Sequence, residues 1–379
     1  MKNPFQISML ASGSGFCNRL EELDLLTRQA LSGANVVLYS PRRYGKTSLV
    51  RKVQSVLTQQ GLITIFVDFF GVDSVDDVAA RLARAVFAVT RKQESRWRTA
   101  VRVIRGFRPV LKPNDDGSFS LSVEATSTSL SGLDLLQETM TSIDEFFQRS
   151  EAEIHLCLDE FQEIVSLPDS LKIEAVMRSQ IQKQSASWFF VGSRRRVLLA
   201  MFNERKRPFF QSAFNYELAL LPRDEFAGFI AAQFRQADKI CSLPIAESIV
   251  DQTHQHPMYA QKLAHIVFNQ SEKEISQEDV AEAFLELRRR DQPIFEAMLQ
   301  GLTLQQMRVI KSLAINPIEK PLSSSFLAGH KLGSAGGVRN ALKALVEMDL
   351  IEKGGQGQCW HVIDPLFKYY LVGNLQEDC

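Results

Sequence analysis

The chain has 379 residues, enough for two or three domains with cores of their own, and its 44 Lys and Arg are balanced by 44 Asp and Glu. That balance excludes a global field drawing the whole molecule to nucleic acid or a membrane, so such a partner would have to be met through a local patch. Five cysteines (Cys17, Cys157, Cys241, Cys359 and Cys379) are scattered with no C-x-x-C pair, which argues against a zinc site or disulfide framework and for reduced thiols. The opening MKNPFQISMLASGSGF has no sustained apolar run behind a basic start, so no signal peptide is expected. No stretch approaches the ~20 apolar residues of a membrane span. The expectation is a soluble, cytoplasmic protein.

Leu20 to Leu31 has helical spacing, with Leu20, Leu23, Leu26 and Ala30 on one face and Ser32-Gly33 at its end. Phe16 to Arg19, just ahead of it, is placed either over a nucleotide base or as an ordinary helix entry. Val36-Val37-Leu38-Tyr39 is an all-apolar run, the pattern of a strand covered on both faces of a parallel sheet. Ser40-Pro41-Arg42-Arg43-Tyr44-Gly45 then turns the chain into a helix that opens with Lys46-Thr47-Ser48. This is the phosphate-binding loop G-x-x-x-x-G-K-[ST], with Ser40 standing where the first glycine usually is. Successive backbone N–H groups of such a turn converge on phosphate oxygens, and the helix N-terminus adds its positive end. Lys46 would bring its charge to the β- and γ-phosphates, and the Thr47 hydroxyl would ligate Mg²⁺. Gly45 is expected where a side chain would collide with the nucleotide.

Leu62 to Phe70 reads as a second buried strand, with Asp68 near its carboxyl end, either orienting water or metal or capping the next helix. Val72 to Val103 has a helical pattern and carries Arg81, Arg84, Arg91, Arg96, Arg98 and Arg102, a solvated face first and a partner-binding face second. Residues 113–132 read as a hairpin or loop insertion, and Leu133 to Arg149 as a helix.

Ile154 to Leu158 is another apolar run, and it ends in Asp159 and Glu160, the Walker B arrangement. Asp159 would hold the Mg²⁺ shell, and Glu160 would take a proton from the attacking water or orient it. Coming 113 residues after Lys46, the pair supplies what the phosphate loop lacks. Ser187 to Val191 is a further strand leading into Gly192-Ser193, and Ser193 is the candidate γ-phosphate sensor. Arg194-Arg195-Arg196 and Arg205-Lys206-Arg207 follow, each open to a charge-stabilising role or to plain solvation. Tyr216 to Leu221 reads as the last strand.

From Arg223 helices take over, at 224–235, 245–253, 258–269 and 277–290, and form an α-helical lid. His256-Pro257 begins one of them, Pro257 suiting the first helical turn; His256 either reaches a phosphate or base or simply starts the helix. Helices at 304–313, 322–328 and 338–348, then a ribbon over 350–362 with a glycine-rich tip, make a winged helix-turn-helix. Arg339, Asn340 and Lys343 would face a DNA major groove. Glu347 and the single Lys353 of the ribbon leave the charge modest, which suits packing on the ATPase instead. The domains are therefore set at 1–222, 223–297 and 298–379.

FCNRLEEL, SPRRYGKTSL, LCLDEFQEI, FFVGS, NERKRPFFQSAF and HQHPMYAQKLA, in this order and followed by the winged-helix tail, resemble the archaeal-type ATPases. These belong to the signal-transduction group of AAA+ P-loop NTPases. The resemblance spans almost the whole chain. It implies an α/β P-loop core with a parallel sheet, a helical lid and a winged helix, bound to ATP and Mg²⁺. The implied function is hydrolysis of ATP with low intrinsic turnover as a nucleotide-dependent switch; the alternative is an ATP-loaded DNA-binding or scaffold module. A homo-oligomer or a protein partner is compatible with both. Carried over by position, Lys46 and Thr47 are nucleotide ligands, Asp159 belongs to the metal shell, and Glu160 is the base. Ser193 is the sensor and His256-Pro257 the lid contact. Two departures stand out: Ser40 at the first glycine, and no arginine after Pro208, which leaves Arg194 and Arg207 as candidate fingers.

Overall fold

This computed structural model describes residues 2–5, 17, 19–91, 94–104, 106–114, 119–126, 130, 132–354 and 358–377. Phe16 and Asn18, the tip of the 113–132 insertion and Gly355 to Gly357 of the ribbon lie outside them. The described chain divides into two compact units, one of residues 19–219 and one of residues 220–379 together with the N-terminal segment before Arg19.

The first unit alternates strands and helices: α1 (Leu20–Leu31), β1 (Val36–Tyr39), α2 (Lys46–Gln59), β2 (Ile63–Asp68), α3 (Val75–Thr90) and α4 (Glu94–Val103). A hairpin of β3 (Phe107–Pro113) and β4 (Phe119–Ala125) comes next, then α5 (Gly132–Gln148), β5 (Ile154–Asp159), α6 (Ser170–Ile181), β6 (Ala186–Gly192), α7 (Arg195–Asn203) and β7 (Phe214–Glu217). Five strands form one parallel sheet in the order β2-β5-β6-β1-β7. All four residues of β1 and all six of β5 are buried, as a sheet covered by helices on both faces requires. Phe161, Phe190, Phe202 and Phe209 interlock in the core under one face, with ring centroids as close as 4.8 Å. Every loop that leaves the carboxyl end of β1, β5 or β6 therefore opens on the same edge of the sheet.

Several sequence-based boundaries move. The single helix expected over Val72–Val103 is two, α3 and α4. Ser74 caps α3 by accepting the Asp77 N–H at 3.2 Å. The hairpin begins at Phe107 rather than at 113, because Phe107, Leu121 and Val123 share the face that packs it down on the core. The strand expected at Tyr216–Leu221 is instead Phe214–Glu217. Its length is set by its neighbour: Val36 pairs with Phe214 and Tyr39 with Glu217, and β1 has no further residue to offer before the phosphate loop.

The second unit is helical. It holds α8 (Arg223–Gln236), α9 (Leu243–Gln252), α10 (Pro257–Gln270), α11 (Gln277–Gln300), α12 (Leu304–Ile315), α13 (Ser324–Gly329), α14 (Ala335–Glu347), the β8 (Ile351–Gly354) and β9 (Cys359–Val362) ribbon, and α15 (Pro365–Glu377). One continuous apolar core, from Phe226 through Phe295 to Phe367, serves both the lid helices and the winged helix. α11 runs ten residues past the expected Arg290, through Pro293 to Gln300, and so crosses the boundary set at 297. Residues 2–5 join this unit and not the α/β core: Phe5 packs on Phe234 at 4.7 Å, and Asn3 donates to the His265 carbonyl at 3.1 Å. α15 was not anticipated; Leu366, Phe367 and Leu371 bury one side of it.

Candidate functional site

The phosphate loop leaves β1 at Ser40, which is fully buried and keeps a negative φ, so a serine sits there without strain. Two later positions do turn left-handed: Arg43 at φ 67° and Gly45 at φ 90°. A Cβ added to Gly45 would meet no protein atom within 4 Å, so it is the φ that the fold itself reserves for glycine here. Arg42 and Arg43 point to solvent, Pro41, Tyr44, Thr47 and Ser48 are half-buried, and α2 begins at Lys46. Its first-turn N–H groups face the loop with the positive end of the helix dipole behind them.

The Lys46 ammonium lies inside this loop and donates to the Ser40 and Pro41 carbonyls, each at 2.9 Å. Burial pulls its pKa down to about 8, against the carboxylates of Glu160 and Asp159, which hold it up. A buried ammonium held by backbone oxygens can exchange them for stronger anionic acceptors.

Thr47 donates its hydroxyl to Asp159 Oδ2 at 2.7 Å, joining residues 112 apart in sequence. Burial raises the Asp159 pKa, the Thr47 hydrogen bond lowers it, and Glu160 raises it. The Glu160 N–H caps the other Asp159 oxygen at 3.1 Å. Glu160 is itself left-handed, φ 50°, and this turn swings its carboxylate out of the strand. Ser193 Oγ donates to Glu160 Oε2 at 3.0 Å, and Gln162 Nε2 donates to the same oxygen. The structure thus gathers Lys46, Thr47, Asp159, Glu160 and Ser193 from the ends of three strands.

Two contributors were not read from the sequence. Gln162 is fully buried, and a Cβ on Gly192 would come within 2.0 Å of its Oε1, so Gly192 leaves the space that the Gln162 amide fills beside Glu160. The signals were present, a glutamine two residues after the acidic pair and a glycine directly before Ser193. Arg19 is 5% exposed and donates to Ala219 O at 2.9 Å, Tyr44 O at 3.4 Å and Glu22 at 2.8 Å, which ties the helix entry to the phosphate loop.

Asp68 pairs across the sheet with Asp159, and its Oδ1 accepts the Phe70 N–H at 2.8 Å. It closes a turn and is not the cap of α3. Arg194 lies half-buried at the start of α7. Arg195 pairs with Glu217 at 3.0 Å, and Arg196 is exposed. Arg207 is held by the fully buried Glu174, whose pKa burial pushes up to about 7 while Arg207 draws it down. His256 and Pro257 begin α10 in the helical unit.

Among the described residues no group of three or more His, Cys, Asp or Glu is placed to hold a metal by itself. The site still fits Mg²⁺: that ion accepts one or two hard protein oxygens and takes the remainder from phosphates and water, and Thr47 and Asp159 are such oxygens. Among the described residues, too, no helix is long and apolar enough to cross a membrane.

Among solved structures, the chain is similar to the Walker-type ATPase PABY2304 of Pyrococcus abyssi, with a TM-score of 0.71, 13% identity, and coverage of 97% of this chain and 99% of that one. The fold is that of a Walker-type ATPase. The Aeropyrum pernix ORC2 protein in its ADPNP–ADP complexes is similar at TM-score 0.56 and 16% identity over 100% of this chain and 98% of that one. The Aeropyrum pernix ORC1 protein in complex with DNA follows at TM-score 0.50 and 15% identity, over 95% and 93%. The family model described as "Probable winged helix domain" matches residues 293–373, from the second half of α11 into α15. Comparison with curated proteins gives no match.

Proposed function

We propose that this chain binds ATP with Mg²⁺ and hydrolyses it slowly, as a nucleotide-dependent switch. The observation that carries this reading is the Thr47–Asp159 hydrogen bond, which places a hydroxyl and a carboxylate side by side next to the phosphate loop. The fold shared with a Walker-type ATPase and with a protein solved in ADPNP–ADP complexes supports it. When bound, Mg²⁺–ATP supplies an electrophilic γ-phosphorus whose oxygen charges the metal neutralises. The loop amides of residues 40–48 cradle the phosphates. Lys46 would exchange the Ser40 and Pro41 carbonyls for phosphate oxygens. Thr47 Oγ1 and Asp159 would hold the metal. A Glu160 carboxylate oxygen accepts the proton of the attacking water, and Ser193 fixes the orientation of that carboxylate.

The test is a steady-state ATPase assay beside a nucleotide-binding assay. Glu160→Gln is predicted to bind ATP as the wild type does while turnover falls about a hundredfold or more. Full turnover in that variant would remove Glu160 from the mechanism.

A second reading rests on the outer face of α14. Arg339, Asn340 and Lys343 are exposed there, Lys343 only 3.9 Å from Glu347, as on a helix available to a DNA groove. On that reading the ATPase site loads a DNA-binding module, and hydrolysis is incidental. DNA retention with a steep salt dependence that weakens in Arg339→Ala favours it, and salt-independent behaviour favours packing against protein.

A further inference from the structure

Where a single helix would carry the chain from β2 to β5, this chain has α3, α4 and the β3–β4 hairpin before α5. Within a protein of formal net charge zero, residues 75–125, which span these elements, contain ten Arg or Lys, all between 78 and 114, against six acidic residues, of which only Glu94 lies in that stretch. Eight of the ten are arginines, the side chain whose planar fork best matches phosphate oxygens.

The fold sorts them by face. On α3 the buried stripe is Val78, Ala79, Leu82, Ala83, Val86 and Phe87, and Arg84 and Arg91 are exposed on the opposite side, about 10 Å apart along the helix. On α4 Ala100 and Val103 are buried, and Arg98 and Arg102 are exposed on the outer side, about 6 Å apart. Arg108 and Lys112 are exposed on β3. α3 packs against α4 and against both hairpin strands, so the three elements make one surface. Arg84, Arg91 and Arg102 form no ion pair among the described residues; Arg98 and Arg108 meet Glu94 and Glu124 in exposed pairs, which hold little energy and open at little cost.

We propose that this surface binds the sugar–phosphate backbone of nucleic acid without reading its sequence. Cations repeated over two helices and a strand suit an extended polyanion. An anionic membrane is disfavoured, because α4 buries Ala100 and Val103 and leaves Val101 as its one exposed large apolar side chain among the described residues, whereas a helix lying in a bilayer interface presents an apolar stripe outward. The surface is separate from the second reading of α14, and neither needs the other.

The experiment titrates the full chain into a fluorescein-labelled mixed-sequence DNA duplex, followed by anisotropy at several salt concentrations. The quadruple variant Arg84→Ala, Arg91→Ala, Arg98→Ala, Arg102→Ala is predicted to bind about tenfold or more weakly, with a salt slope shallower by about 0.9 for each phosphate left without its arginine. Replacing the same four by lysine should keep most of the affinity. An alanine variant with unchanged affinity and slope overturns the proposal. So does loss of binding in Arg339→Ala with Lys343→Ala when the quadruple variant binds normally. If the quadruple variant loses co-sedimentation with phosphatidylserine vesicles but keeps DNA, the surface belongs to a membrane and the proposal also fails. Should the alanine variant not fold, Arg98→Glu with Arg102→Glu decides, and undiminished DNA binding there rejects the surface.

Discussion

Lys46 is the residue on which the proposed nucleotide site turns. Its ammonium occupies the loop's own carbonyls, and an anion that arrives must outbid those hydrogen bonds. Gly192 acts at one remove. Gly192→Ala would push the Gln162 amide off Glu160, so kcat should fall about tenfold or more while KM for ATP stays near the wild-type value; a normal kcat would show that Gln162 does not position the base. His155 serves stability instead. It is fully buried on β5, shares a 2.7 Å hydrogen bond with Ser187, and burial lowers its pKa to about 3. Below the unfolded value of 6.5 the unfolded chain takes a proton that the folded one refuses, so stability is full above that pH and is lost as pH falls toward 3. The slope from this residue should approach about 1.4 kcal/mol per pH unit, and His155→Phe should flatten the urea midpoint against pH over that window. Of the site, the residues that belong to a motif were legible: Lys46, Thr47, Asp159 and Glu160 carry their chemistry in their spacing. Gln162 and the Arg19 tether were not, because their roles come from partners that only the fold brings near.

At the level of elements, apolar periodicity located β1, β2, β5, β6 and most helices, since each must bury a stripe or two faces. It failed where a neighbour sets the limit. β7 ends when β1 runs out of residues, and α11 continues through Pro293 because the core shared with α15 extends that far. The pair between α6 and the segment after α7 is another long-range feature that spacing did not foretell. Glu174 is fully buried with Arg207 as its partner, so Arg207→Ala should cost about 3–5 kcal/mol at pH well above 7, where it would leave a carboxylate alone in the core. That cost should shrink as pH falls through about 7, because Glu174 then takes a proton in the folded chain with or without Arg207. Denaturant unfolding of the variant and the wild type at two pH values checks both statements, and an unchanged midpoint at the higher pH would show that Glu174 tolerates the loss. The same pair holds Arg207 in place, since moving it would strip Glu174 of its charge partner.

For the whole molecule, the account rests on a parallel sheet that delivers a phosphate loop, a Thr47–Asp159 pair and a Glu160–Ser193 pair to one edge. The second unit adds helices and a winged helix. Titration calorimetry of ATP into the purified chain, with Mg²⁺ and again with chelator, tests this most directly. The account predicts saturable binding that is weakened by chelator and lost in Lys46→Ala. No binding of ATP or GTP by the wild type with Mg²⁺ present, or equal ATP affinity in Lys46→Ala, would contradict it.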